Sequence, residues 1–369
     1  MGNVNLLSKA KEPFCFLAFC LEVQTFYDNN CLEVDTSILL SLDASQSSNQ
    51  ISSALVQNEV LLEQVNILNS SGFKNDLYKQ VGKIILETLI KDPLIANEGE
   101  LSHDFTVNKH FLTERKFFKQ IVMCGVNYGM KHLAFIEEIK KSYPTIPFKL
   151  RSLIAKITFN FIFDSKGLFS KQIEFFEKLK ILLEKRKTNV KINNKNNQMI
   201  TSQGITLFKK WNKLGFYKPI RLHLNKYVIS DIFYLKNEKV SLRPYIDKEQ
   251  KHLTYQVNAF DDLTVLTAFK ENKRKINQSV IAHLIHHLDA VICIEVIQYF
   301  LEKGISITSN HDCFYISPKY HKELKIVFAN IFYDLFKDPK DIILKIVKDN
   351  DIKLTLEEKK FLNSFGNSD

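Results

Sequence analysis

The chain has 369 residues, a formal net charge of +10 and a pI near 9.0, with 45% hydrophobic and 25% charged residues. That length can bury a large core and hold two or three domains, and the composition is that of an ordinary globular protein, not a disordered or fibrous one. No apolar run approaches the ~18–20 residues of a membrane span. The longest candidate, Val280 to Phe300, is broken by His283, His286, His287, Asp289 and Glu295, so a soluble protein with no membrane partner is expected.

The positive charge suits a polyanionic partner. Only six of the 51 basic residues are Arg (Arg115, Arg151, Arg186, Arg221, Arg243 and Arg274), the rest being Lys. With abundant Asn, Ile and Phe, this resembles translation of very AT-rich DNA, such as an organelle genome or a plasmid. Part of the Lys excess is then a bias of the gene. Six cysteines (Cys15, Cys20, Cys31, Cys124, Cys293 and Cys313) form no CxxC pair and no even ladder. They are expected to be reduced thiols, mostly small buried apolar residues. The N-terminus shows neither a secretory pattern nor an Arg-rich presequence.

In chain order, Pro13 to about Phe26 reads as an apolar helix and Ile38–Leu42 as a short buried strand. Helical spacing recurs over Ser53–Leu68 and Asn75–Leu89, the second with Leu77, Val81, Ile84, Ile85 and Leu89 on one face. A helix over Asn108–Cys124 puts Arg115 and Lys119, four apart, on one side. Pro144–Asn197 is basic and rich in Phe (Phe159, Phe161, Phe163, Phe169), and its Asn/Lys end from Lys185 to Asn197 is a candidate mobile loop. Strand-like pieces surround Gly204–Phe208 and Lys218–Leu222. A long helix from Val280 to Lys303 stops at Gly304 and leads into two β-prone runs meeting at His311-Asp312, as in a hairpin. Lys319 to Leu362 is helical again, and there are no internal repeats.

Two carboxylates stand out. Asp43 ends the apolar run Ile38-Leu-Leu-Ser-Leu and is followed by the small polar stretch Ala44–Gln50, while Asp312 sits between the two strand-like runs. Acids brought together from two strands can hold two divalent metals for in-line phosphoryl transfer. The plainer alternatives are a helix N-cap for Asp43 and a turn residue for Asp312. His286 and His287 with His311-Asp312 also fit a metal phosphohydrolase pattern, although such sites use packed helices and Ile305–Ser317 alternates like a hairpin.

Six motifs succeed one another along the chain. They are Lys11-Glu-Pro-Phe-Cys-Phe-Leu-Ala-Phe-Cys-Leu-Glu22, Leu42-Asp-Ala-Ser-Gln-Ser-Ser-Asn-Gln50, and Arg115 with Lys119, Met123 and Tyr128-Gly129. Trp211 with Leu214-Gly-Phe216, His286-His-Leu-Asp-Ala290 and His311-Asp-Cys-Phe314 complete the series. In this order they resemble the catalytic part of the single-subunit, bacteriophage-type RNA polymerases, which include mitochondrial and linear-plasmid enzymes. The resemblance covers nearly the whole chain.

It implies a mainly α fold with a small antiparallel β palm (α+β), arranged as a right hand. Residues 1–105 would be the first part of the palm, 106–270 the fingers with an inserted basic region, and 271–369 the second part of the palm with the C-terminal helices. It also implies a nucleotidyltransferase, a DNA-directed RNA polymerase adding ribonucleotides with two Mg²⁺ ions held by Asp43, Asp312 and the backbone carbonyl of Ala44. Arg115 and Lys119 would bind the phosphates of the incoming nucleotide, with Lys119 as proton donor to pyrophosphate. Tyr128-Gly129 would stack at the insertion site, His286 would read the minor groove of the hybrid, and His311 would support the primer-end backbone. The implied partners are a DNA template, an RNA transcript and ribonucleoside triphosphates, with a separate chain supplying the N-terminal domain and thumb as a further candidate. The implied compartment is the mitochondrion, with the gene on the organelle genome or a linear plasmid.

The chain departs from the family pattern at several places. Tyr128 comes nine positions after Lys119 where the usual spacing is eight, and one extra helical residue rotates every later position by about 100°. Either Gly125 absorbs it as a bulge or Tyr128 is not the equivalent residue. Ser48 and Asn49 stand where the family favours Gly and an apolar residue, and Ile51 where His is frequent. Met1 lies just upstream of Glu12-Pro-Phe, so the promoter-binding domain and thumb are expected to be absent. The end, Phe361 to Asp369, lacks the short apolar terminus of the phage enzymes. A degenerate or partial polymerase acting as a non-catalytic nucleic-acid-binding subunit is the alternative.

Overall fold

Burial selects one face of the helix over 77–91. Leu77, Val81, Ile85 and Leu89 are fully buried there, together with Tyr78. Asp76 caps the helix by accepting the Tyr78 and Lys79 N–H groups, as an N-cap acid does. Ile84, expected on the same face, is 41% exposed. Each helical residue turns by about 100°, which puts Ile84 roughly that far from a buried face centred on Tyr78, Val81 and Ile85.

The computed structural model describes residues 9–30, 36, 38–44, 46–68, 74–97, 99–127, 129–186, 220–222, 224–225, 228, 230–232, 235–238, 268–271 and 273–364. Its helices in the first half are α1 (Pro13–Asp28), α2 (Ser47–Leu55), α3 (Glu59–Gln64), α4 (Leu77–Lys91), α5 (Pro93–Ala96), α6 (Glu100–Asn108), α7 (Arg115–Val122), α8 (His132–Ser142), α9 (Phe148–Ile162) and α10 (Ser170–Glu184). In the second half come α11 (Lys273–Glu302), α12 (His321–Phe336), α13 (Pro339–Asp349) and α14 (Leu356–Ser364). The strands are β1 (Leu40–Asp43), β2 (Ile220–Leu222), β3 (Ser230–Ile232), β4 (Leu235–Glu238), β5 (Ala268–Glu271), β6 (Ile307–Asn310) and β7 (Cys313–Ile316). One antiparallel sheet has the order β1-β7-β6, and β2–β3 and β4–β5 are separate two-stranded ladders. The fold is therefore mainly helical with a small antiparallel sheet, a palm-like α+β arrangement.

Helix α11 is the spine. Ile276, Val280, Leu284, Leu288, Ile292, Val296 and Phe300 are among its buried residues, and α2, α12 and β6 pack on it. Within Ile276–Glu302 an 18-residue stretch reaches a mean hydropathy of 1.8, long and apolar enough to cross a membrane by length and composition. This corrects the view that His and acid residues interrupt the run, since a few polar groups along thirty residues do not cancel the rest. Half of the stretch is buried inside the fold, and a helix covered on several sides needs this apolarity. It ends at Gly304, whose φ of +71° suits a residue without a Cβ at a helix stop.

Other elements differ from expectation for identifiable reasons. Strand β1 is an edge of its sheet, so Leu40, Ser41 and Asp43 are exposed and only Leu42 is half-buried. The single helix expected over 53–68 breaks at Gln57, with φ +50°, and restarts as α3 under the Asn58 cap. The helix expected over 108–124 is a 3-10 turn (Lys109–Thr113), then α7, then one π turn (Met123–Asn127). Cys15 and Cys20 are exposed and Cys293 and Cys313 half-buried, so none of these four is the fully buried apolar residue expected. Strand β2 is held by Asn350, which accepts the Arg221 N–H and donates to the Arg221 carbonyl, both at 2.8 Å. The Gly204–Phe208 piece, Trp211 and the Asn/Lys segment from 187 onward lie outside the described residues.

Helices α4 and α7 meet at Gly82. A Cβ there would lie 2.6 Å from Phe118 Cδ2 and 2.7 Å from Cε2, and Phe118 is itself buried. Ala in a helix gains about 1 kcal/mol over Gly, but overpacking a closed core costs about 1–3 kcal/mol. Gly82→Ala is expected to lower stability in urea unfolding; a more stable variant would show that α7 can move away from α4.

Candidate active site

The pairing of β1 with β7 places Asp43 directly opposite Cys313, the residue after Asp312. Opposed residues in an antiparallel pair have Cα atoms about 4.5–5.5 Å apart and adjacent Cα atoms lie about 3.8 Å apart, so the two acids' Cα atoms are within about 9 Å. Asp43 is a strand residue and not a helix cap, since α2 begins at Ser47 behind Gln46. Asp312 is the second residue of a two-residue hairpin turn, closed by Asn310 opposite Cys313. His311, the first, has φ +55° while Asp312 does not share the positive φ, a II′-like pattern usually supplied by Gly at the first position. A His held there is local backbone strain.

Asp43, Ala44 and Asp312 line one cleft of about 200 Å³ with Leu42, Phe314, Leu324, Lys325 and Phe328. Its base is apolar, Phe314 and Leu324 being buried, and Lys325 adds a positive charge that nothing in the sequence pattern announced. A larger cavity, about 320 Å³, lies among Phe175, Leu179, Ile343, Phe361 and Leu362, away from both acids.

Helix α11 forms the neighbouring wall. His286, Asp289 and Cys293 recur at helical spacing on one face. The Cys293 thiol donates to the His311 carbonyl at 3.4 Å and lies 3.0 Å from Ser309 Oγ, tying the helix to the turn. Burial, with the charge of Asp312 added, pushes the Asp289 carboxyl up to about 6, against a lowering by His311. Burial also lowers the His286 imidazole, helped by His283 and His311, and raises the Cys293 thiol. Asp289 is thus a third acid of this neighbourhood. It sits inside the His286–Ala290 motif, but only its helical spacing from His286 and Cys293, set against the hairpin, would have marked it. His287 points elsewhere: it is buried, and its Nε2 accepts the Leu224 N–H at 3.4 Å. A paired His286/His287 metal site therefore finds no support.

Among the described residues no group of three or more His, Cys, Asp or Glu side chains is arranged to hold a metal ion. Two carboxylates and the Ala44 carbonyl are nonetheless an all-oxygen donor set. Mg²⁺ commonly takes one or two carboxylates, with substrate phosphates and water completing its shell. By donor chemistry these residues fit the ion.

Arg115 and Lys119 are not among the residues lining the acid cleft. Arg115 Nε donates to Asp76 Oδ2 at 2.6 Å, and its guanidinium carbon sits 5.0 Å from the centre of the Tyr78 ring. Lys119, one turn on, is exposed. The Tyr78 hydroxyl accepts from Asn49 at 3.0 Å, and Asn49 Oδ1 accepts from Asn127 at 2.9 Å, all three residues being buried. A buried polar chain thus links α2, a few residues after Asp43, to Arg115. It also gives Asn49, a departure from the family pattern, two partners.

The π turn Met123–Asn127 contains Gly125, whose added Cβ would lie 2.8 Å from both Ile162 Cδ1 and Phe135 Cζ. A π turn is the form one extra residue takes in a helix. Tyr128 lies outside the described residues, and Gly129 is exposed with φ +61°, a conformation that favours glycine.

The family described as DNA-dependent RNA polymerase matches residues 1–366. The chain is 24% identical over 375 residues to a probable DNA-directed RNA polymerase of Podospora anserina, covering 95% of this chain and 35% of that protein. It is 25% identical over 340 residues to a probable DNA-directed RNA polymerase of Neurospora crassa, covering 85% and 33%. A stretch of 90 residues is 36% identical to T7 RNA polymerase of Escherichia phage T7, covering 24% and 10%. The chain spans about a third of the length of the two fungal relatives.

Asp289 yields a pH prediction. Its carboxyl keeps a proton up to about 6 in the fold, against an ordinary 3.8. The folded state binds the extra proton between those values, so this group's contribution falls as pH rises through them. In metal-free buffer, Asp289→Asn should raise the melting temperature more above pH 7 than below pH 4. An equal gain at both extremes would remove Asp289 as the titrating group.

Proposed function

Because the chain belongs to the DNA-dependent RNA polymerase family, matched over residues 1–366, we propose that it is the catalytic part of a single-subunit DNA-directed RNA polymerase. The observation that carries this reading is the β1–β7 register, which sets Asp43 against the His311-Asp312 turn in one cleft. In the proposed reaction the 3′-oxygen of the transcript forms a bond to the α-phosphorus of a ribonucleoside triphosphate. The α–β bond breaks and pyrophosphate leaves. Asp43 and Asp312, with the Ala44 carbonyl, would hold two Mg²⁺ ions. When bound, these ions activate the 3′-hydroxyl and neutralise charge on the leaving group.

Lys119 is assigned to the triphosphate as a cation and proton donor, with Arg115 beside it on α7. Arg115 would be oriented by Asp76 and the Tyr78 ring. His311 and His286 are assigned to the primer end and the hybrid, and Tyr128-Gly129 to the insertion site. Residues 1–105 and 271–369 would form the palm and 106–270 the fingers. DNA template, RNA transcript and a polypeptide supplying the N-terminal domain and thumb would be the partners. The AT-rich character of the composition and the fungal source of two relatives support a mitochondrial or linear-plasmid setting.

A second reading, a non-catalytic nucleic-acid-binding subunit, draws on the engagement of Arg115 by Asp76 and its place outside the acid cleft. One experiment separates the two. Given a preformed RNA–DNA hybrid and Mg²⁺, the native assembly containing this chain should extend the RNA. Asp43→Asn or Asp312→Asn should abolish extension and leave hybrid binding nearly intact, because binding rests on Lys and Arg contacts to phosphate. Lys119→Ala should slow addition by about 10²–10⁴-fold. Binding without extension by the wild-type assembly would establish the second reading.

A further inference from the structure

Helix α12 follows β7 through the 3-10 turn Pro318–Tyr320, and its start carries Lys319, Lys322 and Lys325, spaced three apart. All three are exposed. Residues three apart eclipse one another in a 3-10 turn, and in an α-helix they lie within about 60°. The lysines therefore form one row, about 9–12 Å long at about 1.5–2.0 Å per residue.

The charge of this row is uncompensated. The two acids of α12, Glu323 and Asp334, are each held by another lysine, by Lys303 at 2.6 Å and by Lys337 at 2.7 Å. Lys319 leans over the Tyr320 ring at 5.8 Å, and among the described residues none of the three lysines pairs with a carboxylate. Solvated surface lysines are common, so the place of the row decides. Lys325 lines the cleft of Asp43 and Asp312 without pairing with either acid, and Lys322 and Lys319 continue the row beyond that lining. A lysine left unpaired beside two carboxylates is available to an anion that enters the same cleft.

The geometry also narrows which anion. The triphosphate is assigned to Arg115 and Lys119 on α7, which do not line this cleft. A bilayer is the poorer fit, because a flat surface cannot follow Lys325 into a cleft between two acids. Phosphates of one strand rise by about 3.4 Å per nucleotide, so the row matches about three successive linkages. The strand that must enter the cleft is the one whose 3′-oxygen reacts there.

We propose that Lys325, Lys322 and Lys319 are a phosphate track for the transcript strand, holding the last few linkages behind its reacting 3′ end. This rests on the polymerase reading and adds the path of one strand.

The recombinant full chain would be titrated with a fluorescent RNA–DNA hybrid bearing a recessed RNA 3′ end, at several salt concentrations. Each lost phosphate contact flattens the plot of log K against log[salt] by about 0.7–0.9. Lys319→Ala, Lys322→Ala and Lys325→Ala combined should flatten it by about 2–3 and weaken binding about 100-fold near ~0.1 M salt. Lys319→Arg, Lys322→Arg and Lys325→Arg combined should keep both. Lys337→Ala, about 18 Å beyond Lys325 at the other end of α12, should also keep both. A hybrid whose last RNA linkages are neutral methylphosphonates should bind the wild type and the triple Ala variant alike. No binding by the wild type, an unchanged slope in the triple Ala variant, or an equal further loss on the neutral hybrid would overturn the track. So would a triple Ala variant that binds the hybrid normally but needs more ribonucleoside triphosphate for extension, or that loses binding to phosphatidylserine vesicles instead. The slope is read without chemistry. A wild type that shows it yet never extends the RNA counts against the polymerase reaction and not the track, and extension with a slope indifferent to the three lysines does the reverse.

Discussion

The antiparallel register between β1 and β7 is the constraint on which the site depends. Side chains alternate faces along a strand, so a slip of one residue would turn Asp43 to the other side of the sheet. Leu42 and Phe314 hold the register, being opposed on the face that meets the core, with Phe314 buried and Leu42 packed against the buried cluster. The acids stand at the end of this pairing, where β1 stops and the hairpin turns. Apolar packing on one side of a three-stranded sheet thus decides where two charges meet.

Helix α11 converts this local arrangement into a stable one. Its buried residues carry the sheet, α2 and α12, while Cys293 bonds to the hairpin and Asp289 feels the charge of Asp312. That division has an electrostatic cost. A half-buried Asp289 beside Asp312 keeps its proton to about 6, and the cause is chiefly lost hydration.

The polar chain Asn127–Asn49–Tyr78, with Arg115 and Asp76 at its end, provides a second connection. Its members come from the segment after Asp43, from α4, from α7 and from the π turn. Buried amides and hydroxyls are costly unless satisfied, so such a chain fixes the relative placement of the elements that supply it. Asp76 serves twice, one oxygen capping α4 and the other receiving Arg115. Moving α7 would break the ion pair, while the cap on α4, made by the other oxygen, would remain.

Helix positions, the hairpin and the two acids could be read from the chain because they depend on spacing between near neighbours. Apolar periodicity marks α4 and α11, Gly304 marks a helix end, and the alternation around His311-Asp312 marks two strands. What only the tertiary structure decided depends on contacts distant in sequence. The exposure of β1 comes from its edge position, the turn at Gln57 is held by its side-chain amide donating to the Phe336 carbonyl, and the raised pKa of Asp289 comes with the hairpin beside its helix. The family resemblance, not the local pattern, marks Arg115 as a phosphate ligand, and the fold adds that Asp76, 39 residues earlier, lies beside it. The extra residue before Tyr128 could be counted in the sequence, but its form as a π turn rests on the close approach of Phe135 and Ile162 to Gly125. The identity of the acids was written in the chain; their meeting came from the pairing of strands, which local propensity does not encode.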